Sequence, residues 1–196
     1  MHKFLILRSY LWNFVMLRLI NATYSKMPKI TGCIKVKGLK GKITFGTKVS
    51  IVSNKWANPV GLSSDTYICL HPGSEIVIGN NVGISNALIF AWSKITIEDD
   101  VRIGGGCQLL DNDFHSLDYN LRKGKLDQKN VKSAPIIIRK GAFIGTQAII
   151  LKGVEIGEQS IIAAGSIVSK TVPPFEIWGG NPAKFIKSIS RETDGK

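Results

Sequence analysis

From Ile138 onward an aliphatic side chain returns at every sixth position: Ile138, Ile144, Ile150, Ile156, Ile162 and Val168, without a break. Four residues after each stands a small or β-branched one: Ala142, Ala148, Val154, Ser160, Ser166 and Val172. Gly145 and Gly157 directly follow two of the stride positions. The same stride recurs at Ile78, Ile84 and Phe90, and again at Ile97, Ile103 and Leu109. A period of six fits neither the 3.6-residue turn of an α-helix nor the two-residue alternation of a lone amphipathic strand. It fits short strands joined by bends, three of which close a triangular coil of about eighteen residues. The stride residue points into the coil and stacks on its equivalent one coil away. The residue four later turns inward near the bend, so it must be small. Backbone groups pair with the coils above and below at a spacing of about 4.8 Å. Ile138 to Pro173 span 36 residues, which make two coils. With further rungs near 43–54 and 67–110, the stride predicts roughly five coils and a prism about 25 Å long.

The rest of the chain divides around this repeat. Residues 1–29 form an apolar, basic segment and linker, and residues 30–196 form the repeat domain. Phe4, Leu7, Leu11, Phe14, Val15 and Arg18 recur at helical spacing, which predicts an N-terminal helix. Arg8 and Arg18 cut its apolar run into pieces too short to span a bilayer. Two uses of such a helix stand open: packing on the body or on a neighbouring subunit, or lying in a lipid headgroup layer. Residues 55–66 and 111–135 leave the repeat, the first as a short excursion and the second as a long polar loop of the kind that usually carries function. Pro173 and Pro174 end the coil, and the tail beyond them is expected to fold back as a short helix.

Charge and composition narrow the function. The formal net charge is +12, yet residues 1–64 contain no Asp or Glu and eleven Lys or Arg: Lys3, Arg8, Arg18, Lys26, Lys29, Lys35, Lys37, Lys40, Lys42, Lys48 and Lys55. The remaining 132 residues nearly cancel, with fifteen basic and fourteen acidic side chains. One end of the protein is therefore basic and should meet something anionic. Basic residues do not alternate with aromatic ones outside the N-terminus, which argues against nucleic acid. Cys33, Cys69 and Cys107 are odd in number and far apart, which fits a reducing compartment rather than a disulfide scaffold. Cys107 sits four after Ile103, so it reads as rung packing rather than as a nucleophile. No clustered His/Cys set suggests a metal site, and no glycine-rich phosphate loop leads from a strand into a helix.

The chemically rich stretch is the opening of the long loop: Asp111, Asn112, Asp113, His115, Ser116 and Asp118. An imidazole can take a proton near neutral pH, and a nearby carboxylate can fix its tautomer. A solvated loop histidine among turn-forming residues is the competing reading. His71, in a His-Pro-Gly turn, reads as a rung-edge residue, and His2 is terminal.

The stride, the loop DNDFHSLDY and the stretch IGTQAIILKGVEIGEQSIIAAGSIVSKTVPP with the tail GGNPAK resemble the hexapeptide-repeat acyltransferases. The branch that they resemble is the O-acetyltransferases of sugars and bacterial surface polysaccharides, related to maltose and galactoside acetyltransferases. The resemblance covers roughly residues 65–190. It implies an all-β fold, a left-handed parallel β-helix, to which the residues add the predicted N-terminal helix and short C-terminal helix, assembled as a homotrimer with sites between subunits. It implies acetyl-CoA as acyl donor, no metal, and a sugar or glycan hydroxyl as acceptor. By resemblance His115 is the general base, with Asp113 or a backbone carbonyl orienting its ring and coil N–H groups stabilising the oxyanion. Thr146, Ala164, Ser169, Lys170, Lys184 and Lys187 match positions that contact CoA in similar enzymes; Ser85 stands where relatives place an acceptor-binding polar residue, Asn86 adjoins it, and Trp92 and Asp113 are the further acceptor contacts expected. Thr171 stands where relatives carry an acid. The N-terminal segment looks more like that of enzymes of polysaccharide assembly, which implies a cytoplasmic protein at the inner face of a membrane. Three alternatives share the repeat: N-acetyl transfer to an amino sugar or xenobiotic, a non-catalytic scaffold, and a γ-class carbonic anhydrase. The last needs three zinc-binding histidines, a spacing that His2, His71 and His115 do not offer.

Overall fold

The computed structural model describes residues 2–54, 56–61 and 65–190, with side chains from Leu7 onward. Lys55 and the side chains of His2, Lys3 and Phe4 lie outside the described residues. Short parallel strands wind into three sheets that form the faces of a triangular prism. The first coil holds β1 (Thr23–Tyr24), β2 (Lys29–Gly32) and β3 (Lys35–Lys37); the second holds β4 (Lys42–Phe45), β5 (Ser50–Ser53) and β6 (Tyr67–Leu70). The third holds β7 (Glu75–Ile78), β8 (Gly83–Ser85) and β9 (Leu88–Ala91); the fourth holds β10 (Lys94–Ile97), β11 (Arg102–Ile103) and β12 (Gln108–Leu110). Beyond the long loop, β13 (Ile136–Ile138), β14 (Phe143–Ile144) and β15 (Ile149–Leu151) make the fifth coil. The sixth is β16 (Glu155–Ile156), β17 (Ile161–Ile162) and β18 (Ile167–Val168). Each strand pairs with the strands three before and three after it, so the faces are β1-β4-β7-β10-β13-β16, β2-β5-β8-β11-β14-β17 and β3-β6-β9-β12-β15-β18.

This is the left-handed parallel β-helix, with six coils rather than the five expected. The extra coil escaped the stride because β2 and β3 alternate Lys, Thr and Gly with single aliphatics. Inside, equivalent side chains stack in columns. Ile68, Ile89, Leu109, Ile150 and Val168 are register partners down the third face, all fully buried. Phe45, Ile78, Ile97, Ile138 and Ile156 do the same on the first. The residues four after each stride position, Ala142, Ala148, Val154, Ser160, Ser166 and Val172, are buried as expected.

One stride position is corrected. Phe90 points outward, and its neighbour Ile89 fills the column. The bend from β8 to β9 is one residue shorter than its equivalents. Asn86 closes it in a left-handed conformation (φ 43°), and a one-residue change of register reverses the face a side chain points to. Gly145 has a separate reason to be glycine. A Cβ there would lie 2.6 Å from the Ala164 nitrogen and the Ile162 oxygen of the next coil.

Both ends of the prism are closed. At the first coil lies helix α1 (His2–Leu19). Leu17 on the helix and Ile20 just beyond it are fully buried beside Ile34. Asn13, also buried, donates from its side-chain amide to the Gly32 carbonyl (2.8 Å) and accepts from the Ile34 N–H (3.0 Å), while the Trp12 indole N–H donates to the Ile34 carbonyl (2.9 Å). At the far end the expected C-terminal helix does not form. The tail instead makes a hairpin of β19 (Glu176–Gly180) and β20 (Ala183–Ser188), turning at a cis Asn181–Pro182 bond. The last coil leaves the outer edge of β17 without a further coil to pair with, and β19 satisfies it in parallel register, Ile161 with Ile177 and Ile162 with Trp178. Gly179 and Gly180 disfavour helix over the same stretch.

Truncating a member of an inward column tests this packing. Ile150→Ala should lower unfolding free energy by about 2–5 kcal/mol in urea denaturation. Ile149→Ala, one residue away and facing outward, should cost less than about 1 kcal/mol.

Candidate active site

The long loop leaves the prism edge between the third face and the first. Asp111, fully buried at the end of β12, starts it. Its two carboxylate oxygens accept the N–H groups of Trp92 (2.6 Å) and Ser93 (2.7 Å) on the coil below, and its carbonyl accepts the Ala134 N–H (3.0 Å) where the loop returns. The loop is therefore clamped at both ends. Its outer part has its own structure: a single-turn helix α2 (Tyr119–Arg122), N-capped by the Asp118 carboxylate, and a 3-10 turn over Gln128–Asn130.

Between the clamp and α2 the backbone turns sharply. Asn112 accepts the Phe114 N–H (2.8 Å), Phe114 adopts φ 62°, and the His115 N–H donates to the Asp113 carbonyl (2.7 Å). The Phe114 ring meets Phe90 edge-on, 5.0 Å between centroids. The outward turn of Phe90 thus supplies an apolar seat for the loop.

His115 is held by Asp127, twelve residues later in the same loop. The His115 Nδ1 lies 2.6 Å from Asp127 Oδ2, while Asp127 Oδ1 accepts the Ser116 N–H (2.7 Å). The imidazole bond, and then the Ser116 N–H, hold the Asp127 carboxyl below the usual carboxylate range. An ionised carboxylate only accepts, so Nδ1 carries the proton and Nε2 of the neutral ring presents its lone pair. The Asp127 side chain is 14% exposed and that of His115 63%. A covered carboxylate thus orients an open imidazole. The stabilisation from Asp127 is complete above about pH 4, the ordinary carboxylate value, and is lost only as pH falls through its lower folded value.

Asp127, not Asp113, is therefore the orienting carboxylate. Asp113 instead receives the Lys152 ammonium on Oδ1 (2.6 Å), and its covered Oδ2 has no partner among the described residues. Asp127 carried no sequence signal that set it apart from Asp111, Asp113 and Asp118. Lys152, from the coil above the loop, was likewise missed.

The other expected residues fall into separate groups. Trp92 lies on the same edge as the loop and stacks on His71, 4.1 Å between centroids and 11° between planes, so His71 is a rung-edge residue. Ser169 and Lys170 follow β18 on that edge too. Ser85, Thr146 and Ala164 lie on the next edge, between the second and third faces. Lys184 and Lys187 are exposed on β20. Asn86 does not face an acceptor. It is buried, accepts the Asn54 N–H (3.2 Å) and donates to the Asn58 carbonyl (2.9 Å), anchoring the short excursion. Burial pushes the Cys107 thiol up to about 11, and its sulfur lies 3.0 Å from the Gly145 carbonyl, so it is a packed neutral thiol.

Residues 135–170 match the family described as bacterial transferase hexapeptide (six repeats). Over 142 residues the chain is 32% identical to galactoside O-acetyltransferase of Escherichia coli, covering 72% of this chain and 64% of that protein. Over 143 residues it is 27% identical to the mitochondrial gamma carbonic anhydrase 2 of Arabidopsis thaliana, covering 65% of this chain and 50% of that protein. A solved hexapeptide-repeat acetyltransferase of Vibrio cholerae, in complex with acetyl-CoA, is 26% identical with a TM-score of 0.58, covering 90% of this chain and 75% of that one. Residues 135–170 thus carry the repeat of the hexapeptide transferases, and the wider chain is similar to acetyltransferases built on it. It spans 27–64% of the length of the curated relatives that it matches. Among the described residues no group of three or more His, Cys, Asp and Glu is placed to hold a metal ion.

The pair at the site can be tested by its chemistry. Asp127→Asn would offer an amide N–H to Nδ1 and move the imidazole proton to Nε2, removing the free lone pair. Turnover should fall roughly 10²–10⁴-fold, as for His115→Ala, with the melting temperature nearly unchanged. Retained turnover in Asp127→Asn would show that the ring needs no such orientation.

Proposed function

We propose that the protein is an acetyl-CoA-dependent O-acetyltransferase acting on a sugar hydroxyl, in a glycan precursor of a surface polysaccharide. The observation that carries this reading is the exposed His115 imidazole, held by Asp127 with its Nε2 free, on a hexapeptide prism. The E. coli relative, a galactoside O-acetyltransferase, and the V. cholerae structure holding acetyl-CoA support the donor and the acceptor class.

The residues expected around the donor fit it. Lys170, Lys184 and Lys187 are exposed at the far end of the prism and have no acidic partner within 4 Å among the described residues, which suits phosphate groups. Ala164 is exposed, and a Cβ at the adjoining Gly165 would meet nothing within 4 Å, so this bend lies open to a pantetheine arm. Acetyl-CoA, when bound, supplies an acetyl group activated as a thioester. His115 Nε2 takes the proton of the attacking hydroxyl as the oxygen–carbon bond forms and the carbon–sulfur bond breaks, and returns it to the departing thiolate. Asp127 keeps the ring oriented throughout and stabilises the transient imidazolium.

In one chain His115 and the Thr146–Ala164 edge sit on different corners of the prism. A homotrimer with each site in a cleft between two chains brings such corners together, and this is the assembly that we propose. The function is tested by thiol release from acetyl-CoA against a panel of sugar hydroxyls and amino sugars. Release with a hydroxyl acceptor, abolished in His115→Ala, is expected, and release with amines alone would replace O-transfer by N-transfer. The assembly is tested by co-expressing His115→Ala with Ala164→Trp. Two inactive chains that regain activity in mixed oligomers would show that one site draws on both.

A further inference from the structure

Helix α1 has two apolar faces, and among the described residues only one has a partner. Asn13, Leu17 and Ile20 turn to the prism. The stripe that marked the helix in the sequence faces the other way: Leu7 is 65% exposed and Leu11 61%, with Phe14, Val15 and Leu19 exposed beside them. A helix that is apolar all round is expected to be covered all round. A cluster of exposed large apolar side chains within thirteen residues marks an interaction surface rather than scattered surface hydrophobics.

The charges around the stripe say what covers it. Arg8 and Arg18 stand among these side chains, and the Arg18 guanidinium lies over the Phe14 ring, 5.4 Å from the centroid. Beside the helix runs a groove of about 790 Å³ against β2, whose lining includes Arg8, Trp12, Lys29, Ile30 and Lys35 and no acidic residue. Among the described residues of this acid-free end, the one ion pair is Lys35 with Asp65, at 3.9 Å. A second copy seated here through a two-fold contact would bring the same uncompensated positive charge with it. An anionic bilayer offers both what the stripe needs and what the cations need. The inward face is pinned to the prism by Trp12 and Asn13, so the helix lies along such a surface rather than entering it. Among the described residues no helix is long and apolar enough to cross a membrane.

We propose that the outward face of α1, with the basic groove beside it, docks the protein on an anionic lipid bilayer, with headgroup phosphates held by Arg8, Lys29 and neighbouring cations. This does not depend on the acyl-transfer reading, because the readout is binding. The full chain is co-sedimented with phosphatidylcholine vesicles with and without phosphatidylglycerol. The wild type should bind the anionic vesicles at least roughly tenfold better than the neutral ones, and should be released as salt is raised from about 0.1 M to about 1 M. Leu7→Ser/Leu11→Ser/Phe14→Ser and, separately, Arg8→Gln/Lys29→Gln should each reduce binding roughly tenfold while melting and oligomer mass stay at wild-type values. Equal, negligible binding of wild type and both variants would overturn the proposal. So would equal binding to neutral vesicles, or a triple variant whose mass by light scattering drops, since the stripe would then be a contact between copies.

Discussion

Every coil rests on one repeated contact, an inward aliphatic side chain lying on its equivalent about 4.8 Å away while the backbone ladder runs alongside. Neither half suffices alone. The ladder fixes spacing but not register, and a column tolerates only side chains of matching size at matching phase. Together they force a bend about every six residues and make each coil depend on its neighbours alone. This is why a loop of 25 residues can leave the fourth coil without disturbing the fifth: β12 and β15 remain in register across the departure, with Leu109 on Ile150. It is also why both ends need caps. An end coil has partners on one side only, and α1 and the β19–β20 hairpin supply the missing ones with different means, side-chain amide bonds at one end and a parallel strand at the other.

The site follows from what a rigid edge permits. A histidine on a free loop has no defined direction. Here Asp111 ties both ends of the loop to the prism, Phe90 and Phe114 seat its first turn, and Asp127 returns through α2 and the 3-10 turn to meet the ring. The carboxylate also holds the Ser116 N–H, so one group fixes both the imidazole and the backbone beside it. That double use accounts for the low proton affinity of Asp127, whose neutral form would accept these bonds less strongly.

The sequence made the repeat, the loop and His115 legible because each leaves a mark at fixed spacing or by rarity. What it hid lies where long-range geometry overrides local pattern. Phe90 obeyed the stride yet pointed outward, because a bend shortened by one residue at Asn86 reverses the face, and a periodic template carries no count of residues in a bend. The tail read as a helix, but an unpaired strand edge on β17 was waiting for it, and that edge exists only once the prism is built. Asp127 could not be told from the other loop carboxylates, since the selection was made by the fold of the loop and not by distance along the chain. The apolar spacing of α1 correctly announced a helix but marked its exposed side. The packed side contains Asn13, which pattern-reading counts as polar and which makes two hydrogen bonds to the first coil.

The distribution of charge along the prism is a separate matter from its folding. Outward positions of the strands need only be soluble and compatible with β structure. In the upper coils that requirement is met by mixed signs, as where Arg139 bridges Glu98 and Glu155 at 2.8 Å each. In the first two coils the same kind of position is filled by Lys29, Lys35, Lys37 and Lys42, with no acid in the sequence before Asp65. Neither the columns nor the ladders distinguish a glutamate from a lysine at such sites, and mutual repulsion among the lysines opposes folding at that end. It is an asymmetry that the fold does not ask for and that works mildly against it. The exposed apolar stripe lies at that same end, on a helix that is not part of the repeat.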